Sequence, residues 1–175
     1  MIINYKYGYP NKWTFTIKPI AELLARYVGD GKGWIDPFAG MTSPAEFTND
    51  LNPDIQASSH LHALEFCRLF QECKGGLFDP PYSSTQVKEC YNSIGFTPDI
   101  PQNDYLLAFD KVKDALAYLI IPNGFCISFG WSSNGLGKKR GFEKIEILLV
   151  QHGGHHNDTI VTVERKNKSE SGAAQ

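Results

Sequence analysis

The chain has 175 residues, of which 42% are hydrophobic and 13% aromatic, and its formal net charge is −2. This length suits one domain with a single core, and the apolar content excludes a disordered chain. The near-neutral charge excludes a global basic field, so any contact with nucleic acid has to be local. We expect one domain over residues 1–166 and a disordered tail over residues 167–175.

Cysteine spacing and hydropathy indicate the cellular compartment of the protein. The four cysteines (Cys67, Cys73, Cys90 and Cys126) form no CxxC pair and have no disulfide-like spacing, so we expect buried free thiols. No apolar run approaches the roughly 18 residues of a membrane helix, and no charged-then-apolar leader opens the chain. The sequence therefore predicts a cytoplasmic protein with no membrane partner.

Hydrophobic periodicity predicts short strands that alternate with helices. The first thirteen residues are expected to be irregular, and a long loop is expected between the strand that ends at Asp79 and the helix that begins at Asn103. In chain order, the predicted elements are a helix over 19–28, a strand ending at Asp36, a strand ending at Asp50, a helix over 62–73, a strand over 76–79, a helix over 103–120 capped by Asp104, a strand over 125–129, and strands over 144–150 and 158–165.

This order predicts an α/β sandwich with a mostly parallel sheet and an antiparallel C-terminal hairpin. Only eleven residues separate Asp36 from Thr48, so that crossover has room for one helical turn at most. Ligands of such sheets bind beyond the carboxyl ends of the strands. Because Asp36, Asp50 and Asp79 each end a predicted strand, we expect a site at that edge.

The stretch "GLFDPPYSS", residues 76–84, carries the chemistry. An exocyclic amine of a nucleobase is a weak nucleophile, and accepting hydrogen bonds from its N–H groups frees its lone pair. The Asp79 carboxylate and the Pro80 carbonyl are acceptors without donors, and the prolines Pro80 and Pro81 restrict the backbone that holds them. Tyr82 offers a flat face on which an extruded base can stack.

Asp79-Pro80-Pro81-Tyr82 resembles the catalytic motif of the S-adenosylmethionine-dependent amino-methyltransferases, which modify adenine N6 or cytosine N4 in DNA. The resemblance implies a Rossmann-like class I methyltransferase fold, and the Asp form is more typical of the adenine enzymes. "DPFAG" resembles the cofactor motif of the same family, with glycine allowing close approach of the backbone. The residues implied there are Asp36, Pro37, Phe38, Ala39 and Gly40.

The resemblance implies further contacts with S-adenosylmethionine. Asp50 takes the position of the acid that accepts from the ribose hydroxyls. The stretch "WTFTIKP" resembles the segment of the family that meets the carboxylate of the cofactor, and Thr16 or Lys18 is the residue implied for this contact. His62 stands where the family often has an acidic residue that contacts the adenine, and here the sequence departs from the pattern.

Substrate contacts are less defined by the resemblance. Only 38 residues separate the two motifs, which leaves no room there for a target-recognition domain, so we expect a bare catalytic core that acts alone or with a separate specificity subunit. Ser83 and Ser84 are candidates for nucleic-acid contact at the mouth of the pocket. The basic cluster Lys138, Lys139 and Arg140 is the other candidate, expected at the same edge as the three aspartates.

The histidines of "QHGGHHN" (His152, His155 and His156) are interpreted as part of a hairpin turn, and no metal is expected because methyl transfer needs none. The leading hypothesis is methyl transfer to adenine N6 in DNA, single-stranded or duplex. Cytosine N4 and adenine in RNA are alternative targets. A noncatalytic subunit that binds cofactor or nucleic acid is the alternative from another class.

Overall fold

The computed structural model describes residues 1–95, 104–154 and 156–168, with the backbone alone for residues 104–106. Within these residues, seven strands form one sheet with helices on both faces. The strands are β1 (Ile2–Tyr7), β2 (Trp34–Asp36), β3 (Phe47–Thr48), β4 (Cys73–Phe78), β5 (Ile120–Gly130), β6 (Phe142–Gln151) and β7 (Thr159–Lys166). The helices are α1 (Lys18–Tyr27), α2 (Ala63–Cys67), α3 (Ser84–Ser93) and α4 (Asp104–Leu119).

The sheet order is β1-β6-β7-β5-β4-β2-β3. Strands β2, β3, β4 and β5 run parallel to one another, whereas β7 runs antiparallel to both β5 and β6. The predicted α/β sandwich with an antiparallel C-terminal hairpin is confirmed. The carboxyl ends of β2 and β4 meet at one edge, which places Asp36 and Asp79 together.

Each face of the sheet buries its own core. Leu77 of β4 packs with Leu23 of α1 on one face, and Ile35 of β2 packs with Leu116 of α4 on the other. Successive strand residues point to opposite faces, so Phe78 joins the second core directly after Leu77 joins the first. Both helices are amphipathic, as their spacing predicts.

Two segments predicted to lack structure have it. Residues 2–7 form β1, which pairs in parallel with β6 although most of its side chains are exposed. Residues 84–93, expected in a loop, form α3, whose buried side is Val87. Neither segment shows clear apolar periodicity, so the sequence predicts no element there. Strand β1 is stabilised by pairing with β6, about 140 residues away in the chain.

Strands β4 and β5 begin earlier than expected. The predicted helix over 62–73 ends at Cys67, and Cys73 already lies in β4. Gly75 obscures this strand in the sequence, yet glycine is required there because a Cβ would overlap the Trp34 ring. Strand β5 continues through the expected turn, where Asn123 adopts a positive φ of 64°.

Several smaller expectations can be compared directly. Between Asp36 and Phe47 the chain makes turns and no helix, as the short crossover predicts. The four cysteines are free, but Cys90 is exposed rather than buried. No helix in the described part of the chain has the length and apolar character that a membrane crossing requires. The Asp104 cap and residues 169–175 of the tail lie outside what is described.

Candidate active site

A cavity of about 1100 Å³ opens at the carboxyl edge of the sheet. Its walls come from the segment before α1, the loops after β2, β3 and β4, the start of α2, α3 and α4. The sequence-predicted residues that line it are Pro37, Phe38, Ala39, Gly40, Asp50, His62, Asp79, Pro80, Pro81 and Tyr82. Both motifs therefore face one cavity.

The loop after β2 is held from below by Asn49, a residue that the sequence did not single out. Asn49 is buried, and its side-chain amide donates to the carbonyls of Pro37, at 3.1 Å, and Leu61, at 2.9 Å. Its carbonyl oxygen accepts from the Leu61 N–H at 2.9 Å. Its backbone also exchanges hydrogen bonds with Asp36 and Ala39. Asn49 thus joins two walls of the cavity.

Asp50 and Gly40 form the part of the cavity that suits a polar ligand. One Asp50 oxygen accepts from the Gly40 N–H at 3.0 Å, and the other accepts from the Asn52 N–H at 2.9 Å. Gly40 has a φ of +55°, which an L side chain adopts with strain. Each Asp50 oxygen retains a lone pair for a further donor, so a ribose or another diol fits this corner.

Asp36 does not line the cavity but lies behind it. Its side chain is fully buried, and it accepts hydrogen bonds from the Ser43 hydroxyl at 2.6 Å and the Phe38 N–H at 3.0 Å. Burial raises the pKa of Asp36 to about 7, although these two hydrogen bonds lower it. Its side chain therefore shapes the loop rather than contacting a ligand.

Asp79 and Tyr82 are bonded to each other. The Tyr82 hydroxyl donates to Asp79 Oδ1, while the Tyr82 N–H donates to Gln86 Oε1 at 2.6 Å, which anchors the residue to α3. The pKa of Asp79 is raised to about 6, because the effect of burial exceeds that of the hydrogen bonds from the Tyr82 and Thr14 hydroxyls, which lower it. The carboxylate is ionised and acceptor-only above that pH.

The segment before α1 reaches the cavity through other residues than those expected. Thr16 and Lys18 are exposed and do not line it, and the Thr16 hydroxyl donates to the Trp13 carbonyl at 2.8 Å. Lys12 and Thr14 line the cavity instead. The segment forms a 3₁₀ turn over Thr14–Thr16, in which residues i and i+2 point to different sides. Thr14 therefore faces the cavity, whereas Thr16 does not.

His62 lines the cavity and precedes α2 as its N-terminal cap residue, without a capping hydrogen bond from its side chain. Ser83 has a structural role, since its hydroxyl accepts from the Gln86 N–H at 3.2 Å and caps α3. Ser84 begins α3, and like Ser83 it is not among the residues that line the cavity.

The basic cluster lies at the other edge of the sheet, so its predicted position is wrong. Strand β6 runs parallel to β5, because both are antiparallel to β7. It must therefore start at the amino edge, and Lys138–Arg140 form a 3₁₀ turn directly before it. Arg140 is bound to α4, with its Nε 2.6 Å from Asp114 Oδ1.

The turn between β6 and β7 is at the carboxyl edge, near Tyr82. His152 is buried in it, and its Nδ1 lies 2.7 Å from the Gly8 carbonyl, while its Nε2 lies 2.8 Å from the Thr159 hydroxyl. Over the described residues, no group of three or more His, Cys, Asp or Glu side chains is placed to hold a metal ion. His155 lies outside the described residues.

Comparison with solved structures gives the class of fold. TrmN from Thermus thermophilus matches with a TM-score of 0.57 and 17% identity over 86% of this chain and 49% of TrmN. The 1,6-didemethyltoxoflavin-N1-methyltransferase from Burkholderia thailandensis, crystallised with 1,6-didemethyltoxoflavin and S-adenosylhomocysteine, matches with a TM-score of 0.55 and 14% identity over 86% of this chain and 78% of that enzyme.

The N-methyltransferase NodS from Bradyrhizobium japonicum WM9 matches with a TM-score of 0.52 and 10% identity, over 86% of this chain and 96% of NodS. The chain thus has the Rossmann-like class I methyltransferase fold, as its motifs predict, and it spans about half the length of TrmN. No protein-family model matches the sequence, and no curated protein matches it.

Proposed function

We propose that this protein is an S-adenosylmethionine-dependent methyltransferase that modifies the exocyclic N6 amine of adenine in DNA. The observation that carries the proposal is the shared cavity, which is lined both by the loop Pro37–Gly40 with Asp50 and by Asp79 with Tyr82. The methyltransferase fold supports the same reaction class. Two of the structures with this fold, the Burkholderia enzyme and NodS, are N-methyltransferases by name.

The residues present fit S-adenosylmethionine. Asp50 retains acceptor capacity for the ribose hydroxyls, and Gly40 leaves the neighbouring backbone open to a close approach. At about 1100 Å³ the cavity exceeds the usual range of ligand pockets, roughly 300–1,000 Å³, so it has room for a nucleoside-sized cofactor and an acceptor group. When bound, the cofactor supplies an electrophilic methyl group on sulfur.

The residues of this chain prepare the acceptor amine. The ionised Asp79 carboxylate and the Pro80 carbonyl accept hydrogen bonds from the two N–H groups of the amine. These bonds draw the nitrogen toward tetrahedral geometry and free its lone pair. Tyr82 and Thr14 hold the carboxylate in place through their hydroxyls. The fixed acceptors need no reorganisation as positive charge develops on the amine nitrogen, which favours the transition state. The proton that the methylated nitrogen then loses leaves to solvent.

Incubation of the purified protein with labelled S-adenosylmethionine and single-stranded DNA, duplex DNA or RNA, followed by nucleoside analysis, tests the proposal. We expect N6-methyladenine in DNA, lost in Asp79→Ala. Methyl on cytosine N4, or on adenine in RNA, would replace the proposed target with one of the alternatives. Cofactor binding without transfer to any polymer would contradict the enzyme and favour the accessory-subunit role. Adding candidate partner proteins tests for a separate specificity subunit.

A further inference from the structure

A second cavity, of about 420 Å³, lies next to the first at the carboxyl edge. The two cavities share four lining residues, Lys12, Thr14, Tyr82 and Gln86. The loop Pro37–Gly40 and Asp50 line only the first, so the second opens on the side of Tyr82 away from the expected cofactor position. A molecule in the second cavity would therefore lie beside the catalytic motif without competing for the cofactor corner.

The two cavities differ in charge. The first is lined by residues of both signs, with carboxylates such as Asp50 and Asp79 and cations such as Arg68 and Lys111. Among the described residues that line the second, Lys12 is a cation, two are histidines and none is acidic. The neighbouring Asp158 accepts a hydrogen bond from the backbone N–H of His152 at 3.1 Å, and it does not line the cavity. This cavity consequently suits an anionic group.

The polar groups of the second cavity fall into two sets. His152 is buried, and both of its ring nitrogens contact protein atoms, so it forms the floor. Lys12, His156 and Asn157 are exposed at the rim. Ammonium, imidazole and amide N–H groups on one rim are the donors that bind phosphate oxygens.

An aromatic surface completes the site. Trp131 follows β5, lines the second cavity and is 43% exposed. Its ring meets that of Tyr82 edge to face, with 5.8 Å between centroids. An exposed indole beside a cationic rim is the combination with which proteins hold single-stranded nucleic acid, because bases stack on the ring while phosphates meet the donors.

We propose that the second cavity binds the acceptor strand next to the reacting base, with a phosphodiester at the rim and a neighbouring base on Trp131. The inference rests on the proposed function, since it takes the reacting amine to be at Asp79. It replaces Lys138–Arg140, at the opposite edge of the sheet, as the surface for the strand. DNA and RNA share this chemistry, and the volume suits one nucleotide of a single strand.

A matched pair of isosteric variants tests this site. Asn157→Asp places a negative charge on the rim, and Asn167→Asp places the same charge on an exposed residue beside Gly141 at the opposite edge. Binding of fluorescein-labelled 12-nucleotide DNA and RNA strands is measured by anisotropy at several salt concentrations. We expect Asn157→Asp to weaken binding at least about fivefold and Asn167→Asp to leave it unchanged.

A second variant, Lys12→Gln, removes one cation and should reduce the salt dependence of log K by about 0.7, the value for one contact with a single-stranded phosphate. Equal effects of Asn157→Asp and Asn167→Asp, or no binding of either strand to the unaltered protein, would overturn the inference. Comparing the DNA and RNA arms identifies the strand.

Calorimetric titration with S-adenosylhomocysteine separates the two proposals. Strand binding that is sensitive to Asn157→Asp, without any cofactor binding, supports the strand site and contradicts the proposed methyl transfer. If the protein methylates an oligonucleotide but Asn157→Asp and Asn167→Asp bind the strand with the same affinity, the result supports the enzyme and contradicts the strand site.

Discussion

The Tyr82 hydroxyl donates a hydrogen bond to the Asp79 carboxylate, so two residues of the proposed catalytic motif are joined to each other. This contact has two consequences. It orients the carboxylate within the cavity, and it lowers the pKa of Asp79, which burial raises to about 6. Since the proposed reaction needs the ionised carboxylate, activity should be present above about pH 6 and lost as the pH falls through that value.

Tyr82→Phe keeps the aromatic ring and removes the hydrogen bond. Because that bond favours the charged form, its loss should raise the pKa of Asp79, and the acid limb of the pH–rate profile should move to higher pH. The measurement is kcat/KM for methyl transfer between pH 5 and 9. Tyr118→Phe, at a tyrosine that is 82% exposed, is the control and should not move the profile. An unchanged acid limb in Tyr82→Phe would show that Asp79 does not limit the rate.

Asp50→Ala should weaken binding of S-adenosylhomocysteine by about ten- to a hundredfold, because it removes a carboxyl acceptor and leaves the Gly40 N–H without this partner. Calorimetry gives the Kd directly. Asp54→Ala, at an exposed neighbour that does not line the cavity, is the matched control and should bind normally. Equal affinities of the two variants would place the cofactor away from Asp50.

Asp36→Asn tests the buried carboxyl behind the loop. The pKa of Asp36 is raised to about 7 in the folded protein from an ordinary value of 3.8, so the folded state binds more protons between these pH values. The free energy of unfolding should therefore fall as the pH rises through this window, by up to about 1.4 kcal/mol per pH unit from this residue.

Asparagine can keep both contacts of Asp36, with its oxygen accepting from Phe38 and its amide donating to Ser43. The variant should lose this contribution to the pH dependence and become more stable than the parent above about pH 7. Urea unfolding at pH 4 to 8 measures the difference. Asp30→Asn alters an exposed carboxylate and should retain the slope of the parent; parallel curves for Asp36→Asn and the parent would contradict the prediction.

Asn49→Ala should lower the free energy of unfolding by about 3 kcal/mol. The substitution leaves a buried carbonyl of Pro37 and two partly buried backbone groups of Leu61 without partners, and each lost partner in a buried position costs about 1–3 kcal/mol. Chemical denaturation measures the change, and Asn167→Ala, at an exposed position, should alter it by less than about 0.5 kcal/mol. Similar stabilities of the two variants would show that the loop is held by other contacts.

Several features of the site were predictable because they depend on local sequence. Asp79-Pro80-Pro81-Tyr82 follows β4, and Pro37–Gly40 follows β2, two strands that contain buried apolar residues near their ends. Parallel strands bring such ends to one edge, so the shared cavity follows from the order of elements. Asn49 gave no signal, because a buried asparagine between two strand-end motifs looks like an ordinary turn residue.

Residues close to a strand end could thus be assigned from the sequence alone, because the residues that follow a strand directly stay at its end whichever strand it pairs with. The direction in which β6 runs could not be assigned, because it follows from the antiparallel pairing of β7 with two strands that are distant in sequence. That pairing places Lys138–Arg140 at the amino edge and brings His156 and Asn157 beside Tyr82. Contacts of this kind depend on how the whole sheet assembles, which short stretches of sequence do not encode.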